Sequence, residues 1–265
     1  MRQPVDTLEV RGNAVTHPVG STIAPFSPPH WDQLIHAISG VMSVETQIGI
    51  WVVPPNRALW VPDGQSIRIQ MHGRVAIRSL YFQTQLHAMP AELKVVNVSP
   101  LLRELVVEAI HSGPLDRRDA RDSHLVDCIL DQLDEIRQAP FQLPQPRDPR
   151  ARALASRLAE SPAASVAELA TTVGASRRTL ERLFLADTGM PIARWRRQLR
   201  LLQALRFLGA GYAVTDVAHR VGYSTPSAFS AMFRAELGQT PARYFYEPTT
   251  DNADPIQPLS TIADH

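Results

Sequence analysis

Two hydrophobic rhythms divide the chain. Between residues 33 and 82, short β-branched and aromatic runs such as "GIWVV" and "VAIRSLYF" are separated by turn residues. The breaks fall at Gly40, Gly49, Pro54-Pro55, Asp63-Gly64 and Gly73. Short, evenly spaced strands predict a small barrel or jelly roll, which leaves few exposed edges. The period then lengthens. "SPLLRELVVEAIHSG" (99–113) and "DSHLVDCILDQLDEIRQ" (122–138) read as helices. The second carries Leu125, Ile129, Leu133 and Ile136 on one stripe, with Asp127, Asp131, Asp134 and Glu135 mostly elsewhere. "APFQLPQPRDPR" (139–150) holds four prolines in twelve residues and cannot continue a helix, so it reads as a linker.

Beyond it one helical unit is used twice. "LATTVGASRRTLERLF" from Leu169 matches "VAHRVGYSTPSAFSAMF" from Val217 at an offset of 48, which becomes 49 after one extra residue. Ala170/Ala218, Val173/Val221, Gly174/Gly222, Phe184/Phe233, Gly189/Gly238 and Arg194/Arg243 correspond. Each copy leads from a short helix through a Val-Gly turn into a second helix, the pattern of a helix-turn-helix. Between the copies, "PIARWRRQLRLLQALRFLGAG" predicts a long connecting helix with Leu199, Leu202 and Leu205 inward. In the first copy Ser176 reads as an N-cap, and Leu180, Leu183 and Phe184 form the buried stripe. Arg177, Arg178, Glu181 and Arg182 are left on the outer side.

Charge changes the picture where the linker ends. Residues 1–146 carry 12 basic and 15 acidic residues, whereas residues 147–246 carry 15 arginines, no lysine and 7 acids. A basic module beside a mildly acidic one points to a polyanionic partner for the basic part. The tail, residues 247–265, carries four acids and no base and is predicted to be disordered. No run approaches the ~20 apolar residues of a membrane span. Early Pro4, Asp6 and Glu9 do not fit a signal peptide, so the expected compartment is the cytoplasm. The single cysteine, Cys128, cannot form an internal disulfide and is expected as a small buried residue.

The repeated motif and its connecting helix resemble the DNA-binding domain of the AraC/XylS transcription regulators over about residues 148–246. In that family two helix-turn-helix units enter successive major grooves, about 34 Å apart. The resemblance assigns base reading on the first recognition helix to Arg178, Glu181 and Arg182. Arginine can bridge guanine O6 and N7, and glutamate can accept from cytosine N4. Ser176 lies at the start of that helix and Arg177 suits a phosphate. On the second recognition helix the corresponding positions are Pro226, Ser227 and Ala231, a departure from the family, where the last is often arginine. Ser224, Thr225, Ser227 and Ser230 can reach phosphates or bases, and Arg234 a phosphate. Phe229, Met232 and Phe233 read as core. The second unit is therefore expected to add affinity and position more than specificity.

"GIWVVPPNRALWVPDG" resembles the cupin-type sensor domain of a subset of these regulators, over about residues 20–90. Cupins also include metal-dependent enzymes, whose ligands are often an H-x-H pair and a later histidine. Here Ser27, Pro29 and Ile67 stand where ligands would be expected, leaving His30 alone, and His36 and His72 lack a ligand spacing. No metal and no cofactor are expected. A metal-free ligand pocket would draw on His30, Gln33, Trp51, Trp60 and Arg78, although both tryptophans equally fit ordinary barrel packing. The Leu125–Ile136 stripe, at the place where the family dimerises, serves either a homodimer seam or packing on its own barrel.

The expected fold is α+β: an N-terminal cupin-like β-barrel with two dimerisation-type helices, then an all-α domain of two helix-turn-helix units joined by a long helix. The sensor takes residues 1–138 (barrel about 7–90, helices about 99–138), the linker 139–150, the DNA-binding domain 151–246 and the tail 247–265. The expected function is a sequence-specific DNA-binding transcription regulator, controlled by a small-molecule effector, acting as a homodimer on a double-stranded operator and contacting RNA polymerase. Two alternatives remain: a cupin metalloenzyme fused to a DNA-binding module, and a ligand-independent regulator whose barrel only dimerises.

Overall fold

A computed structural model describes residues 9–24, 29–46, 49–55, 57–84, 91–134 and 141–246. The tail 247–265, Ser27 and Ile136 lie outside them. The chain forms two compact units. Among the described residues, the first comprises 9–42 and 53–134, and the second 43–52 and 141–246.

The elements of the first half are β1 (Glu9–His17), β2 (Thr22–Ile23), β3 (Trp31–Thr46), β4 (Gly49–Val53), β5 (Arg57–Val61), β6 (Arg68–Gln83), β7 (Lys94–Asn97), α1 (Pro100–His111), β8 (Leu115–Asp116) and α2 (Ala120–Asp134). In the first unit they build a curled antiparallel sheet of order β7-β5-β3-β6-β1-β8, with β2 on β6. The register pairs Gln33 with Val61 and Ala14 with Arg78.

Two expected strand ends are not ends. Gly40 and Gly73 lie inside 16-residue strands, β3 and β6. At Gly40, φ is +70°, and a Cβ would sit 2.6 Å from the Arg74 carbonyl oxygen. Only glycine fits, and the strand continues through it instead of stopping.

Burial along β6 shows where the core lies. Ile69, Met71, Val75 and Ile77 are buried while Arg68, Gln70 and Arg74 are exposed, the alternation of a half-buried strand. Further on the opposite face is buried as well, at Leu80 and Phe82, because α1 and α2 cover it. That layer joins Val10, Leu34, Trp60, Leu80 and Phe82 of the sheet to Leu102, Val106, Val126, Ile129 and Leu133 of the helices. The stripe on α2 therefore packs on its own sheet. Ile129 and Leu133 are fully buried and unavailable as a dimer seam, and Leu125 is half-buried against the same cluster. Cys128, on the opposite side of α2, is exposed rather than buried.

The elements of the second half are β9 (Gln142–Pro144), α3 (Pro149–Glu160), α4 (Val166–Thr172), α5 (Arg177–Thr188), α6 (Ile192–Gly209), α7 (Val214–Arg220), α8 (Pro226–Leu237) and α9 (Pro241–Tyr246). The described part of the proline-rich stretch is anchored within the second unit rather than free. β9 pairs antiparallel with β4, Ile50 facing Leu143, and Phe141 and Leu143 are buried. The Asp187 carboxylate then accepts the backbone N–H groups of Arg147 and Asp148, and the Asp148 side chain caps α3. No described helix is long and apolar enough to cross a membrane.

Two measurements check this layer in the first unit. Ile129→Ala removes fully buried methyl groups, and the unit is expected to lose about 2–5 kcal/mol in a denaturant melt. His36 is 1% exposed, and neither ring nitrogen has a hydrogen-bond partner among the described residues. Burial first, then the Arg103 and Arg78 guanidinium groups, push its pKa down from 6.5 to about 3. Between those values the unfolded chain binds the extra proton and the folded one does not. The contribution to stability is thus complete above pH 6.5 and declines as pH falls towards 3. His36→Leu should flatten that dependence; an unaltered pH profile would assign it to other groups.

Candidate nucleic-acid interface

The first outward helix is built by its caps. Ser176 accepts the Thr179 backbone N–H at 3.2 Å and starts α5, and Gly189, at φ +70°, ends it. Leu180 and Phe184 are fully buried, whereas Leu183 is only partly so. α4 leads in through a turn at Gly174, φ +67°. The second copy repeats this logic: α7, a turn at Gly222 with φ +82°, the Thr225 cap accepting Ala228 N–H at 3.2 Å, and buried Phe229 and Phe233 in α8. At Gly222 a Cβ would also lie 2.9 Å from the Ala163 backbone nitrogen, so this turn packs too closely for any side chain. Met232, expected as core, is half-buried.

α6 holds the two copies. Trp195 packs edge-on against Phe184 at 5.4 Å and donates its indole N–H to the Pro144 carbonyl at 2.8 Å. Leu199, Leu202 and Leu205 are buried, as their spacing predicts. Behind α8 an aromatic run continues from Tyr223 through Phe229 and Phe233 to Tyr244.

The sequence-predicted residues on these helices separate into two kinds. Arg178 and Arg182, one turn apart on α5, are exposed, as are Ser224, Ser227, Ala231 and Arg234 around α8. Pro226 and Ser230 are half-buried. Ser176 and Thr225 are exposed, with their hydroxyl groups already engaged as caps.

Glu181 differs from its expected role. Its Oε2 accepts the backbone N–H of Ile192 at 3.2 Å, and its Oε1 lies 3.9 Å from Nε of Arg177. The N-cap of α6 is Pro191, which offers no side-chain cap, so Glu181 supplies one from α5. In this arrangement one carboxylate oxygen is engaged at a helix junction, while the side chain stays partly exposed. The arginines of α6, dense in "RWRRQLR", carry no signal in the repeat that marks them as site residues. Arg196 and Arg200 both donate to the Pro162 carbonyl, and Arg197 pairs with Glu236 at 3.6 Å.

The residues expected to line a ligand pocket have varied surroundings. His30 is exposed at a turn, φ +71°, its backbone N–H donating to Asp63 Oδ2. Trp60 stacks on Phe82 at 5.8 Å in the layer under the helices. Arg78 is half-buried and donates to the Ile77 carbonyl. Trp51 is buried and grouped with the second unit. Gln33 is buried with its Oε1 unpartnered among the described residues, and the ring nitrogens of His36, which lacks a ligand spacing, are likewise buried and unpartnered among them. Among the described residues no group of three or more His, Cys, Asp or Glu side chains is placed to hold a metal ion.

A family described as a helix-turn-helix domain matches residues 169–246. The HTH-type transcriptional regulator NimR of Escherichia coli K12 is 31% identical over 228 residues, covering 85% of this chain and 84% of that protein. The HTH-type transcriptional regulator RipA of Corynebacterium glutamicum is 38% identical over 104 residues, covering 38% of this chain and 31% of that protein. Among solved structures, the DNA-binding domain of the global transcriptional factor AdpA in complex with a target DNA is 36% identical. It covers 37% of this chain and 91% of that one, with a TM-score of 0.34.

The capping role of Glu181 is checked by two variants. Glu181→Ala is expected to cost about 1 kcal/mol of stability through the lost cap, and Glu181→Gln, which keeps an acceptor, less. Equal stability of all three proteins would remove the capping role.

Proposed function

The chain belongs to the AraC/XylS family of helix-turn-helix transcriptional regulators, and on that footing we propose that α5 and α8 enter successive major grooves of one DNA duplex. The observation that carries the reading is the pair Arg178 and Arg182. Each guanidinium stands outward on a capped, core-anchored helix and has no hydrogen-bond or ion-pair partner among the described residues. That is the state expected of a side chain waiting for guanine O6 and N7. Ser224, Ser227, Ser230, Ala231 and Arg234 offer α8 short polar, methyl and cationic contacts. These suit phosphates and thymine methyl groups more than a bidentate code.

In this reading the first unit is a cupin-like sensor for a small molecule, without metal and without turnover. The supporting observation is the buried Gln33, whose Oε1 lacks a partner among the described residues; His36, three residues on, falls on the opposite face of the same strand. A homodimer belongs to the reading too, with its contact moved off Ile129 and Leu133, which the sheet already occupies. RNA polymerase is the further partner expected at a promoter, and the cytoplasm the compartment.

The test needs no known operator. The full chain first selects its preferred duplex from a random pool, and Arg182→Ala is then measured on that duplex and on random DNA. The selected duplex should lose about 1–3 kcal/mol of binding with relaxed preference at one position, and random DNA much less. Equal losses on both would leave Arg182 a phosphate contact only.

A further inference from the structure

Between α5, α6 and the turn before α8 lies a cleft of about 380 Å³ whose lining includes Arg177, Arg196, Arg197, Arg200, Glu181 and Tyr223. Four guanidinium groups face one carboxylate. Glu181 is committed to Arg177 and the start of α6, and Glu236 to Arg197. Arg196 and Arg200 have no carboxylate partner among the described residues. Each points its Nε–H at the same Pro162 carbonyl, at 3.1 and 3.2 Å, and Arg200 also lies over the Tyr223 ring at 5.2 Å. Two like charges are thus brought together in a half-buried place by a neutral acceptor. Burial and the neighbouring Arg200 push the Arg196 pKa below its ordinary value. An anion in the cleft would offset both effects.

We propose that this cleft is a phosphate site, filled in the working complex by one backbone phosphate of the DNA strand that runs between the two grooves. Its rim decides the source. Arg177 immediately precedes Arg178, and Tyr223 immediately precedes Ser224, so the lining adjoins in sequence a base-reading candidate of α5 and a phosphate- or base-contacting candidate before α8. Guanidinium groups are suited to the task, since their planar donors match phosphate oxygens. The inference rests on the DNA-reading role of α5 and α8.

The test uses the full chain and a 30-base-pair duplex of arbitrary sequence, where affinity is set by phosphate contacts. The slope of log K against log salt changes by about 0.9 for each phosphate neutralised. Arg196→Gln/Arg200→Gln should make the slope shallower by about that one contact, and Arg177→Gln by a fraction of it. Circular dichroism confirms folding. Because Arg196 and Arg200 also brace Pro162, the exposed Arg177→Gln decides the matter if the double variant does not fold. In a second arm, inorganic phosphate is added at constant ionic strength during a thermal melt, with chloride as control. Phosphate-specific stabilisation that the variants reduce, together with the shallower slope, supports the proposal. Stabilisation with an unchanged slope overturns the backbone source and makes the ligand a free phosphate. Unchanged slopes in folded variants and no phosphate-specific stabilisation overturn the site. If the unaltered chain shows no salt-dependent duplex binding, it is the DNA reading that fails, and the phosphate arm still judges the cleft.

Discussion

The second unit depends on one side of α6. Trp195 is the point where three chain segments meet: its ring stands against Phe184 of α5, and its indole N–H satisfies the Pro144 carbonyl beside β9. Below it Leu199, Leu201, Leu202 and Leu205 continue the buried face, and α7 and α9 also contact α6. A fully buried tryptophan whose polar atom is also satisfied couples a large apolar area to a fixed orientation. In the proposed reading, this is the property that two helix-turn-helix units on one duplex require. Two helices can be read by one duplex only if their spacing is held within a fraction of a groove width, and neither helix pair alone could hold it. The Glu181 cap adds to the same constraint, since it ties α5 directly to the start of α6.

The other side of α6 carries the opposite character. Arginine alone supplies the basic charge of residues 147–246, and several of these arginines are used twice. Arg196 and Arg200 close the α3–α4 turn through Pro162, and Arg220 covers Phe207 and Tyr212. Lysine would serve poorly in either role. Its ammonium group cannot stack flat on a ring or present a planar fork to a carbonyl while still facing an anion. Charge needed for a polyanion is thus built into the framework, at the cost of repulsion between guanidinium groups that carboxylates do not fully offset.

What the sequence made legible follows from local rules. The duplicated Ala, Val-Gly and Phe positions, the Ser176 cap and the leucine spacing of α6 depend on neighbours within a turn or two, and the structure has them where the spacing puts them. Thr225, which the repeat places opposite Ser176 and for which the sequence reading expects only a DNA contact, is a cap as well. What escaped depends on distant partners. An apolar stripe such as Leu125–Ile136 looks the same whether it meets its own sheet or a second copy, and only the sheet's Leu34, Trp60 and Phe82 decide. Glu181 sits at a position that resembles a base reader, and its contact with the Ile192 backbone N–H, eleven residues away in sequence, is invisible to local spacing. Gly40 and Gly73 signal a break by composition, yet each lies inside a continuous strand with a positive φ. Prolines in 141–149 forbid a helix but do not forbid a strand, and Phe141 and Leu143 find buried places.

The two helix pairs use their similar frames unequally, and side-chain length explains why. α5 projects long guanidinium groups from Arg178 and Arg182, which can reach base edges while the backbone stays at the groove's rim. Around α8 the exposed positions are Ser224, Ser227 and Ala231, with Arg234 a turn or more further on. Side chains this short meet a groove only if the helix itself comes close, which demands a stiff support. The aromatic run from Tyr223 to Tyr244 supplies one, four rings in successive contact with centroids 5.6 to 5.9 Å apart. Uncharged hydroxyl and methyl contacts displace few counterions and discriminate bases weakly. In the proposed reading, α8 therefore fixes where the chain sits on the duplex, and α5 decides which duplex it is.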